Sequence, residues 1–255
     1  MMYRWDSDMI RFMRDASEYG TYFEELAKWM QPYFAPSDHV CDAGCGLGYL
    51  SLELAAMVNR VTAVDMNADA LEVLRENCAL RDIRNVEIRR GPVEQLTRGK
   101  RYDHMVFCSF GGIDQILKIA AQQCEKAVFI VKKNYQNHRF SVGTYSSDAE
   151  NFEQMCIRLQ DAGIPYEAVA MELEFGQPFR KWEDAFTFFN IYSRDPDKTG
   201  ITETFIQSRL ERTAREDFPW YMPHLRRVGC VKINVEDIPK EPAVESLAAE
   251  KRCGL

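Results

Sequence analysis

At 255 residues, with 46% apolar and 12% aromatic side chains, the chain can bury a full core, which excludes global disorder. Its 32 Lys and Arg against 39 Asp and Glu give a formal charge of −7, so the average field repels a phosphate backbone and disfavours nucleic acid as a partner. No apolar run approaches the roughly 18 residues that cross a bilayer. The N-terminus, with Arg4, Asp6, Asp8 and Arg11, lacks the apolar centre of a signal peptide, so a soluble, cytoplasmic protein is expected.

Apolar side chains recur at helical spacing from Met9 to Met30 and are interrupted near Gly20, which predicts two helices before the core. After Pro32 and Pro36, short apolar runs (Val40 to Asp42, Val61 to Asp65, Val86 to Arg90, Met105 to Cys108, Ala127 to Val131) alternate with helical patterns at 49–58, 68–79 and 114–124. Such alternation predicts an α/β fold with a doubly wound, mainly parallel sheet of seven strands. A further helix is expected at 148–162, where Ser147 and Glu150 have capping-box spacing and Gly163 with Pro165 supplies a stop. Tyr166 to Phe175 alternates apolar and acidic residues like an edge strand, and Val228 to Val235 is its natural partner, the antiparallel last strand. The roughly 50 residues between them far exceed a hairpin loop; helical patterns at 182–192 and 202–212 predict a helical lid there. The expected division is therefore an N-terminal helical segment (1–36), a core (37–175 and 225–238), a lid (176–224) and a loose tail (239–255).

The eight cysteines, Cys41, Cys45, Cys78, Cys108, Cys124, Cys156, Cys230 and Cys253, mostly fall in apolar strands or on apolar helix faces and read as small buried hydrophobes. They form no C-x-x-C pair and no Cys/His cluster at zinc spacing, so neither a metal site nor a disulfide framework is expected. The basic residues Arg89, Arg90, Arg98, Lys100 and Arg101 read as a solvated loop face.

The stretch Val40-Cys41-Asp42-Ala43-Gly44-Cys45-Gly46-Leu47-Gly48-Tyr49 runs from a buried strand through a glycine-rich turn into a helix. Its third glycine comes one residue sooner than in the dinucleotide pattern G-x-G-x-x-G, which disfavours pyrophosphate binding. Asp42 precedes the first glycine by two positions and would repel a phosphate, whereas it suits an ammonium group. The stretch resembles the first motif of class I S-adenosylmethionine-dependent methyltransferases, an acid followed by G-x-G-x-G after the first strand. That resemblance implies S-adenosylmethionine as cofactor, with Asp42, Ala43, Gly44, Cys45 and Gly46 around its methionine end. It further implies that Asp65, ending the second strand 21 residues after Gly44, takes both ribose hydroxyls, and that Met66 packs on adenine. A carboxylate suits a vicinal diol because it accepts two hydrogen bonds at once. The third family position departs from the pattern: Pro92 stands where an acid is usual, leaving Val93 through its backbone, or Glu94, to meet adenine. Cys108 and Ser109, after the fourth strand, are implied beside the methionine part. Tyr19 and Tyr22 stand where N-terminal helices of many relatives close over the cofactor.

Methyl transfer needs near-attack geometry more than a fixed catalytic residue, so no catalytic residue is assigned. His138, after the fifth strand, and His224, ending the lid, lie toward the ligand-binding edge, while His39 and His104 lie toward the opposite edge. The aromatic-rich lid offers a wall for an apolar acceptor, although Trp182, Ala185, Phe186 and Phe189 have the spacing of an ordinary core-facing helix. Cys-Ser-Phe-Gly-Gly after the fourth strand is unlike the N-P-P-Y motif of base N-methylation. The leading expectation is a small-molecule acceptor. An RNA or protein methyltransferase is the nearest alternative, and a non-catalytic regulator that binds S-adenosylmethionine is an alternative of another class.

Overall fold

A computed structural model describes residues 5–95, 102–135, 140–143, 150–195 and 197–239 of the chain. Two helices open it, α1 (Ser7–Tyr19) and α2 (Tyr22–Met30), separated at Gly20 as the periodicity predicts. The five apolar runs become β1 (His39–Ala43), β2 (Arg60–Asp65), β3 (Val86–Arg90), β4 (Tyr102–Cys108) and β5 (Cys124–Lys133). Helices α3 (Tyr49–Ala55), α4 (Ala68–Leu80) and α5 (Ile113–Gln123) connect them. Then follow α6 (Phe152–Asp161) and β6 (Glu167–Glu174), and after an insertion the long strand β10 (Leu225–Asn234).

The sheet has the order β3-β2-β1-β4-β5-β10-β6. The first five strands are parallel, and β10 runs antiparallel to both β5 and β6. Both sheet faces are covered, which is why β4 and β5 read as nearly continuous apolar runs. Val40, Val106, Phe129 and Val131 pack beneath α2 and α3, while Met105, Phe107, Val128 and Ile130 pack beneath α5 and α6. The edge strand β6 is mostly exposed, and its acids are paired, Glu172 with Arg227 and Glu167 with Lys232. Charges along an edge discourage strand addition by another chain. The chain order reverses between β1 and β4, and the C-terminal ends of those two strands open the crevice where such sheets bind ligands.

The structure differs from the sequence expectation in two places. Helix α6 starts at Phe152, and its capping box joins Asn151 to Gln154. Ser147 lies outside the described residues, and the Glu150 carboxylate instead accepts the Ile113 N–H (2.9 Å) and an Arg158 Nη1 hydrogen bond (2.8 Å). The insertion contains, besides α7 (Trp182–Tyr192) and the short α8 (Glu203–Gln207), a three-stranded antiparallel sheet ordered β7-β9-β8. Its strands, β7 (Gln177–Phe179), β8 (Glu211–Arg212) and β9 (Trp220–Met222), are too short to leave a period in the sequence. Phe179, Ala185, Phe188, Phe189 and Ile206 form the insertion's own core together with Phe12 of α1. Arg180 binds the buried Asp15 of α1 at 2.7 Å, and Tyr19 stacks on Tyr221, which fixes the insertion to the N-terminal helix.

Candidate active site

The glycine loop leaves β1 and is held to β2 by its own backbone: the Gly44 and Cys45 N–H groups both donate to Val64 O, at 2.8 and 2.9 Å. Gly44, Gly46 and Gly48 all adopt left-handed φ angles, of 72°, 55° and 77°, a region that L side chains enter at a cost. Their surroundings separate their roles. A Cβ at Gly44 would stand 2.4 Å from the Phe110 ring, and one at Gly48 would stand 2.4 Å from Leu74. Among the described residues, only Trp5 comes near a Cβ at Gly46, at 3.4 Å. Two glycines thus serve internal packing, and Gly46 presents bare backbone to open space.

Asp65, half-buried at the end of β2, faces this open backbone. Its Oδ2 accepts the Gly46 N–H at 2.9 Å and its Oδ1 accepts the Asn67 N–H at 2.8 Å. Each oxygen keeps further lone-pair capacity, so the fixed carboxylate can accept from a vicinal diol. Met66, the next residue, is 46% exposed, which for a large apolar side chain leaves a free surface for a flat ring. Val93 is buried and its carbonyl already accepts from Gln123 Nε2 at 2.9 Å; Glu94 accepts from Gln115 Nε2 at 2.6 Å.

Asp42 is fully buried, and its Oδ2 accepts the Ser51 hydroxyl at 2.5 Å. Burial pushes its carboxyl up to about 6, against the Ser51 hydrogen bond, with the Asp65 charge adding to the rise. Ala43 is buried; Cys45 and Cys108 are half-buried. Burial raises both thiols, Cys108 to about 12, so neither is a thiolate nucleophile at neutral pH.

Beyond the ends of β4 and β5 lies a cavity of about 460 Å³, the size of a small-molecule site. Ser109, Gly111 and Gly112 line it from the turn after β4, Lys132, Lys133 and Tyr135 from β5 and its end, Glu150 from before α6, and Arg226 from β10. Ser109 has φ 58°, an uncommon state for a non-glycine residue, and its N–H donates to Val131 O at 2.8 Å. Lys132 is 6% exposed, donates to Gly111 O and stands 3.7 Å from Glu150. Burial lowers its pKa, partly opposed by Glu150.

Of the two histidines nearest this edge in sequence, His138 lies outside the described residues, and His224 is buried, edge-on to Phe140 and away from the cavity lining. His104 binds Asp38 and His39 binds Thr62 at the opposite end of the sheet. None of the insertion's aromatics is among the cavity's described lining residues: most join the insertion's own core, and Phe218 and Tyr221 pack on Tyr19. Arg226 and Glu150 were not legible as site residues: the first sits in an alternating strand, and the second read as a helix cap.

A methyltransferase-domain family model matches residues 35–185. Ribosomal protein L11 methyltransferase of Acetivibrio thermocellus is 31% identical over 101 residues, which is 38% of this chain and 32% of that protein. The chain thus spans about a third of that relative's length. Among solved structures, the YcgJ protein of Bacillus subtilis superposes with a TM-score of 0.55 at 11% identity, covering 83% of this chain and 98% of the other. Precorrin 8w decarboxylase of Methanobacterium thermoautotrophicum does so with a TM-score of 0.50 at 17% identity, covering 82% and 89%. These two share the fold. With more than half of its length matched by the family model and the strand order described above, the chain belongs to the class I methyltransferases, enzymes that use S-adenosylmethionine.

Proposed function

We propose that the protein methylates a small-molecule acceptor held in the cavity beyond β4 and β5. The observation that carries this reading is the cavity's place and size: it begins at Ser109, next to Cys108, and its volume of about 460 Å³ suits a small molecule. When bound, S-adenosylmethionine supplies an electrophilic methyl group on a sulfonium. Asp65, held by the Gly46 N–H, would take its ribose, Met66 would cover the adenine, and Asp42, Ala43, Gly44, Cys45, Gly46 and Cys108 would surround the methionine end. Val93 and Glu94 would meet the adenine edge, with the Val93 carbonyl already engaged by Gln123. Asp42 answers an ammonium group, since a buried carboxylate gains most from a positive partner. The residues around the cavity orient the acceptor and exclude water, which supplies the in-line geometry on which methyl transfer depends.

A protein acceptor is the second reading, favoured by the likeness to ribosomal protein L11 methyltransferase. One experiment separates the two: the protein is incubated with methyl-labelled S-adenosylmethionine and a cell extract, which is then divided into small-molecule, RNA and protein fractions. Label in the small-molecule fraction is expected. Label confined to acid-precipitable material overturns the small-molecule reading, and tight cofactor binding without label transfer in any fraction identifies a regulator.

A further inference from the structure

Two buried polar atoms near the cavity have no hydrogen-bond partner among the described residues: Arg226 Nε and the Tyr22 hydroxyl. An unmade hydrogen bond in a buried place is costly, so such atoms point to a missing partner. The two belong to one cluster, because the Arg226 guanidinium lies 5.2 Å from the Tyr22 ring centroid and 5.4 Å from that of Phe175. Its neighbour Arg227 makes an ordinary edge ion pair with Glu172, whereas no carboxylate among the described residues pairs with Arg226. The one acid on the cavity wall, Glu150, is already engaged by the Ile113 N–H, by Arg158 and by Lys132. Among the described residues, this cluster therefore has aromatic walls and a cation but no carboxylate of its own paired with Arg226.

We propose that Arg226 and the Tyr22 hydroxyl form a carboxylate-binding subsite at the methyl-transfer end of the cavity, a proposal that rests on the reading of that cavity as the reaction site. The planar guanidinium edge matches a carboxylate with two parallel hydrogen bonds, and a buried phenol adds a third donor. Two carboxylates can reach this place, one on the acceptor and one on the methionine end of the cofactor. Arg226 lines the cavity, whereas neither Gly46 nor Asp65 is among its described lining residues, which favours the acceptor.

Calorimetry on the full chain decides. S-adenosylhomocysteine and 5′-methylthioadenosine, which lacks the amino-acid end, are titrated into wild type, Arg226→Met, Arg226→Lys and Tyr22→Phe. Benzoate and its neutral counterpart benzamide are titrated into the same proteins with and without S-adenosylhomocysteine. Expected is benzoate binding without benzamide binding, weakened about tenfold or more in Arg226→Met and partly restored in Arg226→Lys. S-adenosylhomocysteine affinity should then stay within about twofold. If Arg226→Met instead weakens S-adenosylhomocysteine about tenfold or more and spares methylthioadenosine, the subsite stands and its carboxylate is the cofactor's. A folded Arg226→Met protein, checked by its thermal unfolding, that binds all four ligands as wild type does would overturn the proposal. So would wild type that treats benzoate and benzamide alike while Arg226→Met leaves S-adenosylhomocysteine affinity unchanged. Wild type that fails to bind S-adenosylhomocysteine refutes the cofactor reading instead, and the benzoate series without it still decides on Arg226.

Discussion

Asp65→Ala tests the cofactor site most directly. The Asp65 oxygens are oriented by one backbone N–H each, from Gly46 at 2.9 Å and Asn67 at 2.8 Å, so the carboxylate is held in place before any ligand arrives. A hydrogen bond to a charged group contributes about 1.5–3 kcal/mol, and a ribose diol would make two, for about 3–6 kcal/mol. The substitution should therefore weaken S-adenosylhomocysteine by roughly two to four powers of ten. It also releases two backbone donors, but at a half-exposed position water can replace the carboxylate, so the loss of fold stability should stay below about 2 kcal/mol. Calorimetry gives the affinity and urea unfolding gives the stability. Repeating the titration with the 2′-deoxy analogue separates direct contact from loop loosening, because a direct contact makes Asp65→Ala cost less against the analogue. An Asp65→Ala protein that binds S-adenosylhomocysteine within about threefold of wild type, less than 1 kcal/mol, would refute the diol assignment.

Three further outcomes follow from the same site and its supports. The Asp42 carboxyl, raised by burial to about 6 in the fold against roughly 4 in an unfolded chain, holds its proton more tightly when folded, so this group's own contribution to stability should fall by about 3 kcal/mol as pH rises from about 4 to 6. Asp42→Asn should flatten that slope in urea titrations, and S-adenosylhomocysteine binding at pH 6 should release part of a proton, seen as buffer-dependent heat that methylthioadenosine does not produce. Gly46→Ala should cost about 1 kcal/mol of stability through its positive φ but about tenfold or more in cofactor affinity, whereas Gly44→Ala, facing Phe110 at 2.4 Å, should cost about 1–3 kcal/mol in stability. Phe12→Ala removes a 1% exposed ring shared by α1 and the insertion and should lower stability by about 3–5 kcal/mol in urea unfolding.

The parallel sheet and the cofactor loop were legible because each is written locally. A buried strand, a turn that requires positive φ and a following helix occupy consecutive residues from Val40 to Ala55, and Asp65 ends the neighbouring strand in parallel register, with Ala43 beside Val64. Period and glycine spacing therefore report this strand, loop and helix framework almost directly. The insertion was less legible for the opposite reason. Strands of two or three residues carry no alternation, so the segment showed only its helices, and its aromatic abundance suggested a ligand wall. Phe188 instead packs on Phe12 and Phe140, contacts between residues far apart in sequence that no local pattern announces.

The acceptor side shows the same limit in its electrostatics. A formal charge of −7 bears on long polyanions, which feel the summed field of the surface. It says little about a small ligand inside a cavity, because at physiological salt that field is screened over about 8 Å while partly buried charges are screened much less. Within that distance the relevant groups are Lys132, Lys133 and Arg226, against Glu150, whose charge is already shared with Arg158 and Lys132. A site for a small anion can therefore sit inside an acidic protein. The two cations that matter most, Lys132 and Arg226, lie on β5 and β10, which become neighbours only when the sheet forms. Net charge read along the chain averages them away, and only the strand order places them around one cavity.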